Sequence, residues 1–385
     1  MESIIPRLIK PPKQSFFLFG PRGTGKTTWL KARFPQARFI DLLEADSFRL
    51  YNAKPERLRE ILLADPGLKT IVIDEIQKIP QLLPEVHSWI EKKTGVQFIL
   101  TGSSSRKLKR SGIDLLAGRA LKCRLHPFMA VELEKKFNLE SALRLGLIPV
   151  VVSSSDPEKV LKSYAALYVR EEVQMEGLVR NVGNFSRFLE AVSFSHSAVL
   201  NLSNVARECQ VERKSVEAYV EILEDLLLAY QVPVFSKRAK RKVITHRKFY
   251  YFDAGVYRSL RPAGPLDRPE EIDGMALEGL VAQHLIAWNA YRDHKNQLYF
   301  WRTPSGSEVD FILYGPEVFW AIEVKNGPKV REEELRSLRV FKTDYPECKP
   351  YFLYRGKERL LKHGVLCMPC EDFLKALHPG KTKID

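Results

Sequence analysis

Residues Gly20-Pro21-Arg22-Gly23-Thr24-Gly25-Lys26-Thr27-Thr28 have the types and the spacing of a phosphate-binding loop, G-x-x-x-x-G-K-[ST]. Gly20, Gly23 and Gly25 let the backbone curl around an anion without Cβ clashes. The amides of such a loop, together with the N-terminus of the helix that follows, attract phosphate. Lys26 is placed to reach the β- and γ-phosphates of a nucleotide, and Thr27 to ligate Mg²⁺. ATP and Mg²⁺ are therefore the expected ligands. The apolar run Ser15-Phe16-Phe17-Leu18-Phe19 reads as a buried strand leading in, and residues 28–33 as the start of a helix leading out.

A second segment points to hydrolysis as well as binding. Thr70-Ile71-Val72-Ile73-Asp74-Glu75 is a β-branched strand that ends in two carboxylates. Asp74 is expected to hold the water shell of Mg²⁺, and Glu75 to polarise the attacking water. A third strand, Val96 to Leu100, ends in Thr101-Gly102-Ser103-Ser104, where a hydroxyl of Thr101 or Ser103 would sense the γ-phosphate.

A separate constellation lies near the C-terminus. Asp310 sits on one strand, and Glu323-Val324-Lys325 on the next. An acid followed by Glu-x-Lys across two adjacent strands is the PD-(D/E)xK nuclease arrangement. Asp310 and Glu323 would bind Mg²⁺, and Lys325, two residues on and so on the same strand face, would orient or activate water. Glu278, on the preceding helix, supplies the usual fourth acid. Charged strand ends without cleavage activity are the alternative.

The third chemical feature is charge. Lys237, Arg238, Lys240, Arg241, Lys242, Arg247 and Lys248 fall within twelve residues that contain no acid. Such a segment would neutralise several phosphates of a nucleic acid. It follows a short amphipathic helix, Leu202 to Cys209, a turn at Gln210 and Val211, and a longer helix, Glu212 to Leu228. Two strands, Val232–Phe235 and Lys248–Phe252, flank it. This is the order of a winged helix-turn-helix, with Gln210 where a turn glycine is usual. Arg213 and Lys214 on the longer helix are further DNA-facing candidates. Glu212, Glu217 and Glu221 offset them, which argues against reading of base sequence.

The elements that must position these groups fit a chain of 385 residues, long enough for two or three domains with their own cores. The net charge of +14 favours a polyanionic partner, most simply DNA. Apolar runs are too short for a membrane span, and the start of the chain has no signal-peptide pattern, so the expected location is cytoplasmic. Of the five cysteines, Cys367 and Cys370 form a lone C-x-x-C, with only Cys348 and His363 nearby; buried or incidental thiols are expected rather than zinc. The periodicity divides the chain into a P-loop core over 1–125, a helical lid over 126–199, a winged helix over 200–261, and an α/β domain over 270–385 with α-β-β-β-α-β order.

The whole series of motifs resembles a large prokaryotic family of AAA+-type ATPases. Members join a P-loop core to a winged helix and a C-terminal nuclease-like domain of unknown function. The resemblance rests on Gly20–Thr28, Ile73-Asp-Glu-Ile-Gln-Lys-Ile-Pro80, Leu100–Ser104, Leu116-Ala-Gly-Arg119, Phe249-Tyr-Tyr-Phe-Asp-Ala-Gly255, Trp301–Asp310 and Ile322–Lys325. It implies an ATPase fold and homo-oligomers, with a hexameric ring as one form. It also implies that Arg119 completes a neighbour's ATP site, with Arg170 as the second choice. The expected function is ATP-driven remodelling of, or translocation on, DNA, branched DNA included. The rival is a nucleotide-switched protein-interaction ATPase with an inactive nuclease-like domain. A third reading makes the nuclease the main activity and ATP its regulator.

Overall fold

The computed structural model describes residues 4–103, 116–168, 181–236 and 247–384. Ser104, the basic run Arg106–Arg110, Arg170, and Lys237, Arg238, Lys240, Arg241 and Lys242 of the basic segment lie outside the described residues. Contacts divide the chain into two compact units. One is Ile9–His126 with Asp225–Leu227; the other joins Pro127–Glu224 and Leu228–Asp385 to the N-terminal stretch ending at Leu8.

The first unit is a five-stranded sheet built from β1 (Phe16–Phe19), β2 (Arg38–Asp41), β3 (Thr70–Asp74), β4 (Gln97–Gly102) and β5 (Leu121–Arg124). All neighbours are parallel and the order is β2-β3-β4-β1-β5. Parallel sheets are covered on both faces, so their inner strands read as continuous apolar runs. Every residue of β1 is buried, as are Ile71, Val72 and Ile73 of β3. Helices α1 (Lys26–Arg33), α2 (Ala45–Ala53), α3 (Arg57–Ala64) and α4 (Leu82–Glu91) connect them. Helix α4 buries Leu82, Leu83, Val86 and Trp89, a helical spacing that makes one apolar face. Because β1 lies between β4 and β5, the loop after it opens at the point where the strand order reverses. Ligands of open α/β sheets bind there.

The second unit contains two sheets. Helices Leu139–Leu145 and Pro157–Ser163 precede them, capped by the side chains of Asn138 and Asp156. Then come helix Val182–Ser193, β6 (Ala198–Val199), helix Leu202–Cys209, helix Arg213–Asp225, β7 (Ala229–Pro233) and β8 (Arg247–Tyr251). The sheet order is β6-β8-β7, antiparallel throughout. The turn between the last two helices needs a left-handed residue, and Gln210 supplies it at φ 55°, a strain of roughly 1 kcal/mol for a residue with a Cβ.

The larger sheet follows helix Pro269–Ala290. Its strands are β9 (Gln297–Arg302), β10 (Glu308–Tyr314), β11 (Phe319–Val324), β12 (Lys349–Tyr354), β13 (Leu360–Lys362) and β14 (Val365–Pro369), in the order β13-β14-β12-β11-β10-β9. A bridge from Val234 to Phe300 carries the end of β7 onto β9.

Three sequence expectations change. Residues 126–199 do not separate from 200–261, because β6 pairs with β8 and completes the smaller sheet. The helix expected over 212–228 ends at Asp225, and β7 begins at Ala229. The C-terminal domain also has two further strands, β13 and β14, and a closing helix, Cys370–Ala376.

The motif Phe252-Asp253-Ala254-Gly255 is a packing junction. Buried Asp253 caps helix Ala254–Leu260 through the amides of Gly255 and Val256, and also accepts from Leu147 N–H at 2.7 Å. Burial raises its carboxyl to about 6, against the pull of those three amides. Gly146 is required opposite it, since a Cβ there would lie 1.9 Å from Asp253 Oδ1.

Candidate functional site: a phosphate loop and an enclosed acid cluster

The phosphate loop takes its shape from three glycines. Gly23 and Gly25 hold φ of 76° and 83°, a region that side chains disfavour. A Cβ on Gly20 would lie 2.4 Å from the Leu125 carbonyl oxygen. Helix α1 begins at Lys26 with Gly25 as its cap and no side-chain acceptor. Its first amides are thus directed at the loop. Lys26 is buried, and its Nζ donates to the carbonyl of Gly20 at 2.7 Å and to that of Pro21 at 3.4 Å. Thr24 Oγ1 donates to Pro21 O at 2.7 Å and fixes the turn. Arg22 and Thr28 are exposed.

The acid at the end of β3 comes to this loop. Thr27 Oγ1 donates to Asp74 Oδ2 at 2.6 Å, and Thr101 on β4 donates to Asp74 Oδ1. Asp74 is buried and its two oxygens are braced separately. Thr101 Oγ1 also accepts the amide of Glu75 at 3.2 Å. Thr101 is thereby engaged in holding Asp74 and Glu75. Glu75 itself sits in the left-handed region, at φ 60° and ψ 47°. That conformation costs roughly 1–3 kcal/mol, and such outliers concentrate where geometry serves chemistry. It turns the chain sharply out of β3. Gln77 Nε2 then donates to Glu75 Oε2 and, at 3.4 Å, to Ser103 Oγ. Gln77 stands in the Ile73–Pro80 motif, but sequence reasoning gave it no role.

A hydroxyl and a carboxylate converging at 2.6 Å beside a helix N-terminus form an all-oxygen donor set. Hard cations such as Mg²⁺ take such donors, so Thr27 and Asp74 fit the ion that the motif implies. Arg119 lies elsewhere. It precedes β5, whose Leu121 pairs with Phe16 at the start of β1, whereas the phosphate loop follows the end of β1. Four strand residues, about 13 Å, separate the two edges. Arg119 pairs instead with Glu91 at the end of α4. Within the first unit Arg119 thus stands at the sheet edge opposite the phosphate loop, in a local ion pair.

In the second unit, Asp310, Glu323 and Glu278 do come together, with a centre the sequence did not suggest. Continuing the β10–β11 register from Phe311 opposite Ile322 sets Asp310 opposite Glu323. The β9–β10 pairing shifts between Val309 and Ile312, a bulge that re-aims Asp310. Asp310 Oδ2 accepts from Val324 N–H at 2.9 Å, and Lys325 Nζ donates to Glu323 Oε1 at 2.6 Å. Between the acids lies the ammonium of Lys248, from β8. It is 3.1 Å from Glu278 Oε1, 2.7 Å from Glu308 Oε1 and 3.1 Å from Asp310 Oδ1. Tyr250, two residues along β8, donates to Glu278 Oε1 at 2.7 Å.

Burial disfavours charge on the acids, and Asp310 adds repulsion, so Glu278 rises to about 7 and Glu323 to about 8. Burial opposes ionisation of Asp310 too, but Lys248 and Lys325 more than offset it and keep that carboxyl below its usual range. Burial would lower Lys248, and Glu278, Tyr250, Asp310 and Glu308 overcome it, so its ammonium stays charged well above the usual range.

Two expectations are corrected here. Lys248 is not part of a solvated basic segment; it is 2% exposed. Among the described residues, no group of three His, Cys, Asp or Glu side chains is arranged to hold a metal ion. At Glu278 and Asp310 the Lys248 ammonium, which also reaches Glu308, takes the place an ion would have, while Glu323 pairs with Lys325. Arg247, by contrast, is exposed, as are Lys214 and Arg213, the last paired with Glu217 at 3.1 Å. The Cys367 and Cys370 thiols are buried, and burial pushes Cys370 up to about 12, which leaves it a neutral thiol. Among the described residues no helix is long and apolar enough to cross a membrane.

Residues 12–134 match the family described as an AAA domain. The chain carries an AAA domain. Two further regions, 136–267 and 273–373, match families described only as domains of unknown function. An uncharacterized protein of Mycobacterium tuberculosis is 26% identical over 93% of this chain and 80% of its own length. One from Methanocaldococcus jannaschii is 24% identical, over 79% of this chain and 73% of its own. Among solved structures, the RuvB Holliday junction branch migration motor of Thermotoga maritima aligns with a TM-score of 0.26 and 16% identity, over 57% of this chain and 82% of that one. AMPPCP-bound DnaA from Aquifex aeolicus gives 0.26 and 12%, over 55% and 82%. The AAA domain match ends just past the parallel sheet and contains the whole phosphate loop, Asp74, Glu75, Gln77 and Ser103.

Proposed function

We propose that this chain is an Mg²⁺-dependent ATPase of the AAA type that uses hydrolysis to remodel DNA or to move along it. The observation that carries the ATPase part is the meeting of Thr27 and Asp74 at 2.6 Å beside the phosphate loop. Thr27 and Asp74 would hold Mg²⁺, which when bound offsets charge on the phosphates. Lys26 supplies a second positive charge to the same oxygens. Glu75, oriented by Gln77, accepts the proton of the attacking water. Arg119 from a neighbouring subunit completes the site, which makes the active form an oligomer. Mixing Arg119→Ala with Lys26→Ala subunits should then restore part of the activity that each variant lacks. A fully active monomer would contradict this.

Three observations support DNA as the partner. The net charge is +14. The basic segment joins β7 to β8 in the chain, and the order helix–β6–helix–helix–β7–β8 with β8 central supports a winged-helix reading. Arg247 and Lys214 are exposed, while the Arg213–Glu217 pair leaves little on that helix for reading bases. Binding should therefore rest on phosphates, fall steeply with salt and vary little with sequence. Replacing Lys240, Arg241 and Lys242 by Gln should reduce the salt slope by about 2–3. An unchanged slope and affinity would remove the segment from the interface. The rival, a nucleotide-switched protein-interaction ATPase in the cytoplasm, draws on the enclosed acid cluster, which leaves the C-terminal domain free for docking rather than cleavage. DNA binding that does not respond to salt, or is absent, would favour it.

A further inference from the structure

Four carboxylates from three elements surround one point inside the C-terminal domain: Glu278 on helix Pro269–Ala290, Glu308 and Asp310 on β10, and Glu323 on β11. Buried carboxylates need a cation or a proton. An oxygen-only cluster of this kind is ordinarily the preserve of a divalent ion. In this chain the central position is filled from within. An ammonium has three donors and no acceptor. Those of Lys248 face three carboxylate oxygens on three different residues, at 2.7 to 3.1 Å. The stem of Lys248 leaves β8 among Phe249, Tyr250 and Tyr251, all buried, and its ammonium lies 5.6 Å from the centre of the Phe300 ring. One oxygen is left over: Glu323 Oε2 is buried with no hydrogen-bond partner, although Glu323 is only 5% exposed. Glu323, whose other oxygen takes the Lys325 ammonium, thus keeps one buried oxygen that neither lysine serves.

We propose that Lys248 is the resident cation of this acid cluster, that the C-terminal domain takes up no divalent ion while Lys248 is seated, and that removing the amine turns the cluster into a Mg²⁺ or Mn²⁺ site. The nuclease-like arrangement is then a lock between β8 and the larger sheet. Mg²⁺-dependent DNA cleavage by the unaltered chain does not occur.

The test uses the full chain without nucleotide, so that the Thr27–Asp74 site contributes little. Mn²⁺ uptake is followed by electron paramagnetic resonance in the unaltered chain, in Lys248→Met, and in Lys248→Met with Glu323→Gln. Methionine keeps most of the lysine's volume and removes its charge. The expected result is no uptake by the unaltered chain at millimolar Mn²⁺. Lys248→Met should bind one Mn²⁺ per chain, tighter by about an order of magnitude or more, and the double variant should lose it. Uptake by the unaltered chain that Asp310→Asn abolishes would overturn the proposal. So would a folded Lys248→Met that binds no tighter than the unaltered chain. A second measurement needs no variant. Amine-reactive labelling read by mass spectrometry should leave Lys248 unmodified with or without Mn²⁺, while exposed Lys13 and Lys357 react. Labelling of Lys248 that appears on adding Mn²⁺ would show that the ion displaces it, and would overturn the proposal whether or not the variant folds.

Discussion

Replacing Lys248 by methionine should destabilise the C-terminal domain, and do so most at high pH. The change keeps volume, so cavity terms are small. What is lost is the counter-charge of Glu278, Glu308 and Asp310, each within 3.1 Å of the ammonium. Removing one partner of a buried ion pair costs about 3–5 kcal/mol. The sign of the pH dependence follows from proton counts. Glu278 and Glu323 are already raised, to about 7 and about 8. Without Lys248 the cluster holds still more protons in the native state than in the unfolded one. Stability must then fall as pH rises. One extra proton retained over two pH units is worth about 3 kcal/mol. The loss near pH 8 should therefore shrink to about 1–2 kcal/mol near pH 6. Urea unfolding followed by tryptophan fluorescence is the assay, since Trp288, Trp301 and Trp320 all lie in this domain. A slope of about 2 kcal/mol/M gives a midpoint shift of about 1.5–2.5 M near pH 8. A loss below about 1 kcal/mol there, or one independent of pH, would refute the view that Lys248 balances these acids.

Other outcomes follow from the same geometry. In the unaltered chain, Glu278 and Glu323 contribute stability that is fully present below their ordinary carboxylate range and is lost as pH rises through about 7 and about 8. Tyr250, Lys248, Glu308, Asp310 and Lys325 face them. Glu323→Gln should flatten the decline between those limits, measured as the urea midpoint against pH, and an unaltered decline would show that Glu323 is not its source. Gln77→Leu should leave nucleotide affinity unchanged and lower kcat by about an order of magnitude, because a misplaced base loses rate rather than binding. An unchanged kcat would reduce Gln77 to a packing residue. Thr101→Val, which removes one donor to buried Asp74, should cost about 1–3 kcal/mol in the unfolding transition of the first unit; no loss would mean that Asp74 is held without it.

The phosphate loop was legible because its chemistry is local. Three glycines, a lysine and a threonine must be close in sequence to wrap one anion, and the strand before them is a plain apolar run. Asp74 and Glu75 were legible for the same reason, as the polar end of a β-branched strand. Asp310, Glu323 and Lys325 could be placed on adjacent strands by alternation. Lys248 was misread because it follows a run of cations in sequence. Its strand contradicts that run: Phe249 to Phe252 is wholly apolar or aromatic, and a lysine at its head, in phase with Tyr250, points inward. Glu308, in phase with Asp310, carried a similar signal. What no local pattern supplies is the partnership of β8 with helix Pro269–Ala290 and β10, which lie 30 to 62 residues away in the chain. The left-handed turn at Glu75 was equally hidden, since a glutamate gives no warning of a positive φ.

The central claim, hydrolysis of ATP at the Gly20–Thr28 loop with Glu75 as base, is tested most directly by comparing the unaltered chain with Glu75→Gln. Bound nucleotide is measured by equilibrium fluorescence, and phosphate release in the presence of Mg²⁺ gives turnover. The account predicts equal binding by both, turnover by the unaltered chain, and turnover slowed by about an order of magnitude or more in the variant. Turnover at the parental rate in Glu75→Gln, or no nucleotide bound by the unaltered chain, would contradict it.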